Sequence, residues 1–141
     1  MGFEDLTIVA AQADPDPDFP TVSFPNPEEE GTLDLAIELA DTENADLVIA
    51  NDPDADRLAV VISHGKEWRH LNGNEIGVLL AEHLLNRGQE ADRLVVTTVV
   101  SSRLLSKLAD FHKVKYAETL TGFKWIVRPG LEDATSRFIF G

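Results

Sequence analysis

Leu47-Val48-Ile49-Ala50 is an unbroken apolar run that leads directly into Asn51-Asp52-Pro53-Asp54-Ala55-Asp56-Arg57. A short run of this kind reads as a buried strand, of the type that parallel α/β sheets contain. A second apolar run, Leu58-Ala59-Val60-Val61-Ile62, follows at once. Two strands must therefore be joined by a loop that carries three carboxylates on alternate residues.

Like charges so close repel, and they need a cation to persist. On an ideal extended strand Asp52 and Asp56 would lie about 13 Å apart. Oxygen ligands at about 2.1 Å from one ion cannot bridge that distance, so the loop must curl. Pro53 and the small Ala55 are compatible with a tight curl. An all-oxygen ligand set favours a hard ion, magnesium first. Arg57 offsets the residual negative charge and can grip a phosphate oxygen. A calcium EF-hand is excluded, because it needs Gly at the sixth loop position and Glu at the twelfth. Those positions hold Arg57 and Ser63. A phosphatase with an aspartyl nucleophile would explain Asp-x-Asp, but not the third Asp or the Arg.

The rest of the chain alternates strand and helix patterns, which implies α/β architecture with mostly parallel sheets. Leu6 to Ala10 reads as a strand. Residues 14 to 30 hold five of the seven prolines, a density that forbids regular structure and predicts an extended loop. From Gly31 a helical pattern begins, with Thr32 as N-cap and Leu35 to Ala40 as the buried stripe. His64 to Glu67 reads as a hairpin turn and Trp68 to Leu71 as its return strand. Asn72-Gly73-Asn74 reads as a turn and domain hinge. Glu75 to Arg87 is an amphipathic helix stopped by Gly88. Leu94 to Val99, Val114 to Glu118 and Arg137 to Phe140 are strands. Ser101 or Ser102 caps a helix over Leu104 to His112. Leu120 to Lys124 is a loop opening a short helical piece.

Charge and composition remove several function classes. Residues 1 to 56 carry 16 Asp or Glu and no Lys or Arg. From Arg57 onward, 12 basic residues outnumber 9 acidic ones. The anionic first segment repels nucleic acid and anionic membranes, and would accept a cation or a basic neighbouring domain. With no cysteine there is no disulfide, zinc thiolate or thiol nucleophile. No apolar run nears the roughly 20 residues of a membrane-spanning helix, and the first residues show no secretory signal. A cytoplasmic setting is expected. His64, His70, His83 and His112 lack the spacing of a shared metal site and read as surface or packing residues. Trp68 and Trp125 read as packing residues. Glu75 favours a helix dipole without a catalytic role.

Taken together, the motifs resemble those of the α-D-phosphohexomutase superfamily, the phosphoglucomutase and phosphomannomutase group. Asp52 to Arg57 resembles its Asp-x-Asp-x-Asp-Arg metal loop. Asp16 to Val22 and Phe24 to Glu29 resemble the segment that leads towards it. Asn72 to Gly77 resembles the turn into the third domain, and Thr119 to Trp125 the Thr-Gly loop that faces substrate. The similarity is greatest to the branch of type-2 phosphoglucomutases and phosphopentomutases. The resemblance implies four domains around a cleft, with a domain-1 phosphoserine and domain-2 Mg2+. It implies interconversion of a sugar 1-phosphate and 6-phosphate, glucose first, through a bisphosphate intermediate. Asp52, Asp54 and Asp56 are then the metal ligands. Arg57 is the catalytic group beside the phosphoserine, and Thr121, Gly122 and Lys124 contact substrate.

On this resemblance, residues 1–70 are the C-terminal part of domain 2 and residues 71–141 most of domain 3, as two adjoining α/β layers with mixed, largely parallel sheets. No serine here lies in the family's Thr-x-Ser-His-Asn-Pro setting. The chain is thus expected to be an internal fragment, inactive alone, that works with the missing domains 1 and 4 of its parent. Phosphopentomutase and glucose-1,6-bisphosphate synthase stay open as activities. So does a stand-alone metal-binding or interaction module. Lys124 beside a glycine could reach a phosphate or be an ordinary surface lysine.

Overall fold

Val48 faces Val61 and Ala50 faces Ala59 across two antiparallel strands, and this pairing fixes which side of the first sheet is core. The computed structural model describes residues 5–65 and 67–141. It divides into two units, Met1–Gly73 and Asn74–Gly141.

In the first unit, β1 (Leu47–Asn51), β2 (Leu58–His64) and β3 (Glu67–Leu71) form a sheet in that order, antiparallel throughout. Helix α1 (Asp34–Glu43) packs on the face that carries Val48, Ala50, Ala59, Val61 and Trp68. Leu33, Ala36, Ile37 and Ala40 supply the helix side of this core, the three- and four-residue spacing of one helix face. The buried stripe is therefore shifted from the expected one, and Leu35 is exposed. Asn44 ends α1 in the left-handed conformation, with its amide on the Ala40 carbonyl.

Three local expectations fail here. Leu6 to Ala10 forms no strand. Leu6 and Ile8 are exposed, and a 3-10 turn covers Ala10–Gln12. Alternation without a neighbouring strand leaves no ladder to join. Thr32 does not cap α1. Its hydroxyl donates to the Asn26 and Glu29 carbonyls, which closes the preceding loop instead. β1 is a strand as expected, but in an antiparallel sheet with one open face, where Leu47 and Ile49 are exposed.

The second unit holds a parallel sheet of order β5-β4-β6, with β4 (Arg93–Thr98) central and buried at every residue. β5 (Lys115–Thr119) and β6 (Arg137–Phe140) flank it. Val95 meets α2 (Gly73–Asn86) and α3 (Leu104–His112) through Ala81, Leu85, Leu105 and Ala109. By alternation, Leu94 and Val96 face the opposite side. Two short helices, α4 (Phe123–Ile126) and α5 (Arg128–Glu132), carry the chain from β5 to β6. The α/β class holds, with one sheet antiparallel and the other parallel.

Helix α2 begins at Gly73, inside the segment read as a turn. Ser101 and Ser102 are not side-chain N-caps of α3, whose N-cap is Arg103. Ser101 bonds Thr98, and the Ser102 hydroxyl accepts from the Leu104 amide. Asn74 on α2 accepts the Ser102 amide at 2.7 Å and so fixes the loop after β4. The buried Arg93 donates to the Leu85 carbonyl at 2.7 Å and the Glu90 carbonyl at 2.8 Å, closing the end of α2.

Candidate metal centre

β1 delivers Asp52 at its carboxyl end and β2 restarts at Leu58, so only six residues make the turn. The Ala55 amide donates to the Asp52 carbonyl at 3.0 Å, and the Asp52 amide to the Arg57 carbonyl at 3.3 Å. Ala55 itself is left-handed, at φ 57°. These features curl the loop, and one oxygen from each of Asp52, Asp54 and Asp56 lies within 4.8 Å of the others. Six ligands at about 2.1 Å from a magnesium ion sit roughly 3 to 4 Å apart. The donor set is all oxygen and close to that spacing, so these residues fit a hard divalent cation.

The three carboxylates differ in setting. The Asp52 side chain is fully buried, whereas that of Asp56 is 72% exposed. Asp52 accepts the Arg57 amide on Oδ1 at 3.0 Å and Arg57 Nε on Oδ2 at 2.8 Å. Burial pushes the Asp52 carboxyl upward, but the Arg57 amide and guanidinium outweigh it and hold the group at about 2. Asp56 is raised, through its hydrogen bond to Asp52 and the nearby charges of Asp54 and Asp52. Arg57 is raised by its bond to Asp52. Its Nε also lies 3.6 Å from Asp56. A tight anionic loop with one resident guanidinium can take up a cation and present an arginine beside it.

In the second unit, Thr121 and Gly122 lie in the loop that leads from β5 into α4, and Lys124 is the second residue of α4 itself. Gly122 is at φ 119° and its carbonyl accepts the Trp125 and Ile126 amides, so a backbone open only to glycine starts α4. The Val99 amide donates to the Thr119 carbonyl, which joins the loops after β4 and β5 at the carboxyl edge of the sheet. Open α/β sheets place their ligands at that edge. Lys124 lies 5.6 Å from the Trp125 ring centroid, with Arg128 at 5.5 Å.

Sequence reasoning missed Asn74, Arg93 and the left-handed Ala55. Asn74 acts across 28 residues, which no local pattern records, and Arg93 bonds back to the carbonyls of Glu90 and Leu85. For Ala55 the signal was present, since a single small residue between two carboxylates in a forced curl marks the tightest point. A groove of about 490 Å³ also opens in the first unit, lined by Glu29, Asp34, Ile37, Leu58, Val60 and His70 among others. None of the three aspartates lines it, so it is separate from this centre. Among the described residues no helix is long and apolar enough to cross a membrane.

Comparison with known proteins bears on both units. Residues 1–65 match the family model for phosphoglucomutase/phosphomannomutase, alpha/beta/alpha domain II, and residues 72–141 match that for domain III. A phosphoribomutase of Saccharomyces cerevisiae is 44% identical over 133 residues, 87% of this chain and 21% of the yeast protein. A probable phosphomannomutase of Haemophilus influenzae is 48% identical over 120 residues, 84% of this chain and 25% of its own length. A phosphoglucomutase of Staphylococcus aureus is 43% identical over 131 residues, 91% of this chain and 24% of its own. The chain thus spans about a quarter or less of these relatives.

Proposed function

The chain belongs to the phosphoglucomutase/phosphomannomutase family, and from that premise we infer that it is the metal-loop and Thr-Gly-loop portion of a magnesium-dependent phosphosugar mutase. The observation that carries this reading is the curled Asp52-Asp54-Asp56 loop, with its oxygens within 4.8 Å and Arg57 against it. In this reading the two units are the C-terminal part of domain 2 and most of domain 3, and the setting is cytoplasmic.

Asp52, Asp54 and Asp56 would hold Mg2+, which when bound neutralises charge on a transferring phosphoryl group. Arg57 grips a phosphoryl oxygen beside them, as a guanidinium does in bidentate pairs. Thr121 and Gly122 shape the loop that meets the sugar phosphate, and Lys124 supplies a point charge to it. The phosphoryl donor belongs to another part of the polypeptide, because no serine of this chain has the donor motif. The chain alone then turns over no substrate. The relatives carry ribose, mannose and glucose in their names. We take a hexose phosphate, glucose first, as the substrate.

Calorimetric titration of the chain with Mg2+ tests the metal reading. One site is expected in the wild type, and it should be lost in Asp54→Asn. Asp54 is exposed, so that variant should keep its Tm. Absence of Mg2+ binding by the wild-type chain would overturn the reading.

A further inference from the structure

Arg57 Nε sits 2.8 Å from Asp52 and 3.6 Å from Asp56, so it touches two of the three carboxylates that define the centre. It stands where positive charge is wanted. We propose that the Arg57 guanidinium is the resident counter-ion of Asp52, and that it leaves Asp52 when a divalent cation enters the triad, which frees it for a phosphate. The inference rests on the metal reading above and concerns how that site is regulated.

The two contacts of Arg57 with Asp52 differ in kind. The amide on Oδ1 is neutral and held in place by the turn, where the Asp52 amide returns the bond to the Arg57 carbonyl. A neutral N–H and a cation can share one carboxylate, because each oxygen has two lone pairs. The guanidinium on Oδ2 is charged, and it ends a flexible stem that is 41% exposed. Two cations at one carboxylate repel, and of the two contacts only the side chain is free to go.

Burial of the Asp52 side chain supplies the other half of the argument. A buried carboxylate cannot turn to water for compensation, and without a cation it is costly. Arg57 meets that need while the loop holds no metal, and keeps the curl closed. Once the ion takes over the role, Arg57 is a half-exposed guanidinium beside it with its former partner occupied. Phosphate is an anion whose geometry the guanidinium fork matches. By linkage, phosphate that draws Arg57 off Asp52 must strengthen metal binding by the same factor. One arginine thus couples metal loading to phosphate grip.

The test is a Mg2+ titration of the 141-residue chain, followed at the Arg57 Nε–H resonance by NMR and by calorimetry on the wild type and Arg57→Gln. The Arg57 Nε–H signal should shift on saturation, whereas the Arg57 backbone amide should stay protected. Arg57→Gln should bind Mg2+ about tenfold more tightly, the scale of removing one unit charge about 6 Å from a divalent ion at a water-like dielectric. Mg2+ binding with an unmoved Nε–H, or equal or weaker binding by Arg57→Gln, overturns the exchange and leaves the metal site standing. No Mg2+ binding by the wild type overturns the metal reading, and the exchange with it. The wild-type resonance decides the matter even if the variant folds poorly.

Discussion

Arg57 engages both oxygens of the Asp52 carboxylate, with its backbone amide 3.0 Å from Oδ1 and its Nε 2.8 Å from Oδ2. A six-residue turn is closed by one side chain, so the loop is as much Asp52's product as its setting. Asp52→Ala should leave the Arg57 amide without this acceptor and the guanidinium without its main partner. We expect Tm to fall by several degrees and amide exchange at Arg57 to speed up. Asp54→Asn is the control, and should change neither.

Ala55 at φ 57° gives a second prediction. The left-handed region costs a non-glycine residue about 1–2 kcal/mol, and β-branched residues are true outliers there. Ala55 already bears that cost, so Ala55→Val should destabilise the first unit further through its β-branch, with reduced Mg2+ affinity because the curl opens. Ala55→Gly should bind Mg2+ as well as the wild type. Chemical denaturation with a parallel Mg2+ titration separates the two outcomes.

Arg93 is buried in the second unit and donates to the Leu85 and Glu90 carbonyls. A buried carbonyl left without its charged donor costs about 1–3 kcal/mol. Arg93→Met keeps most of the stem and removes the donors. It should lower the stability of the second unit by about that amount, as read by urea unfolding, and leave Mg2+ binding by the first unit unchanged.

Asp133 supplies a pH dependence. Its carboxylate accepts bonds from Ser136, Thr135 and Lys115, which hold its pKa well below the ordinary range. For a depressed carboxyl the stabilisation is complete above the unfolded value of about 3.9. It drains away as pH falls from there towards the folded value. Thermal unfolding between about pH 5 and pH 2 should therefore show a steep acid limb. Asp133→Asn should flatten that limb, and lower Tm at neutral pH. An unchanged acid limb in the variant would count against the network.

Legibility in the sequence followed the range of the interaction. The Asp52–Arg57 curl was readable because its causes lie within six residues: an apolar strand, three mutually repelling carboxylates and one compensating cation. The α/β class and most strands and helices were readable from periodicity for the same reason. Leu6 to Ala10 was misread because a strand needs a partner, and the pattern of one segment says nothing of whether one exists. The antiparallel pairing of β1 was hidden likewise, since Leu47 to Ala50 is apolar on both faces although the first unit covers only one of them. Thr32 was misread because a hydroxyl at a helix start has two sets of carbonyls and amides within reach. Thr121, Gly122 and Lys124 stood out because a Thr-Gly pair beside a lysine is a local pattern, while Asn74, which fixes the loop after β4 from 28 residues away, had no local signal.

The order of strands in the second sheet bears on how this protein is made. β4 is its most buried strand, yet both neighbours come later, and one of them starts only at Arg137. On the ribosome, Leu94 to Thr98 emerges as a sticky apolar ribbon with nothing to pair with. Lys115 to Thr119 can cover one of its edges first, and the other stays open until Arg137 to Phe140 has emerged. The first sheet is built from strands adjacent in sequence and can close well before then. The Asp52–Arg57 loop can thus close before β4 has gained its second neighbour.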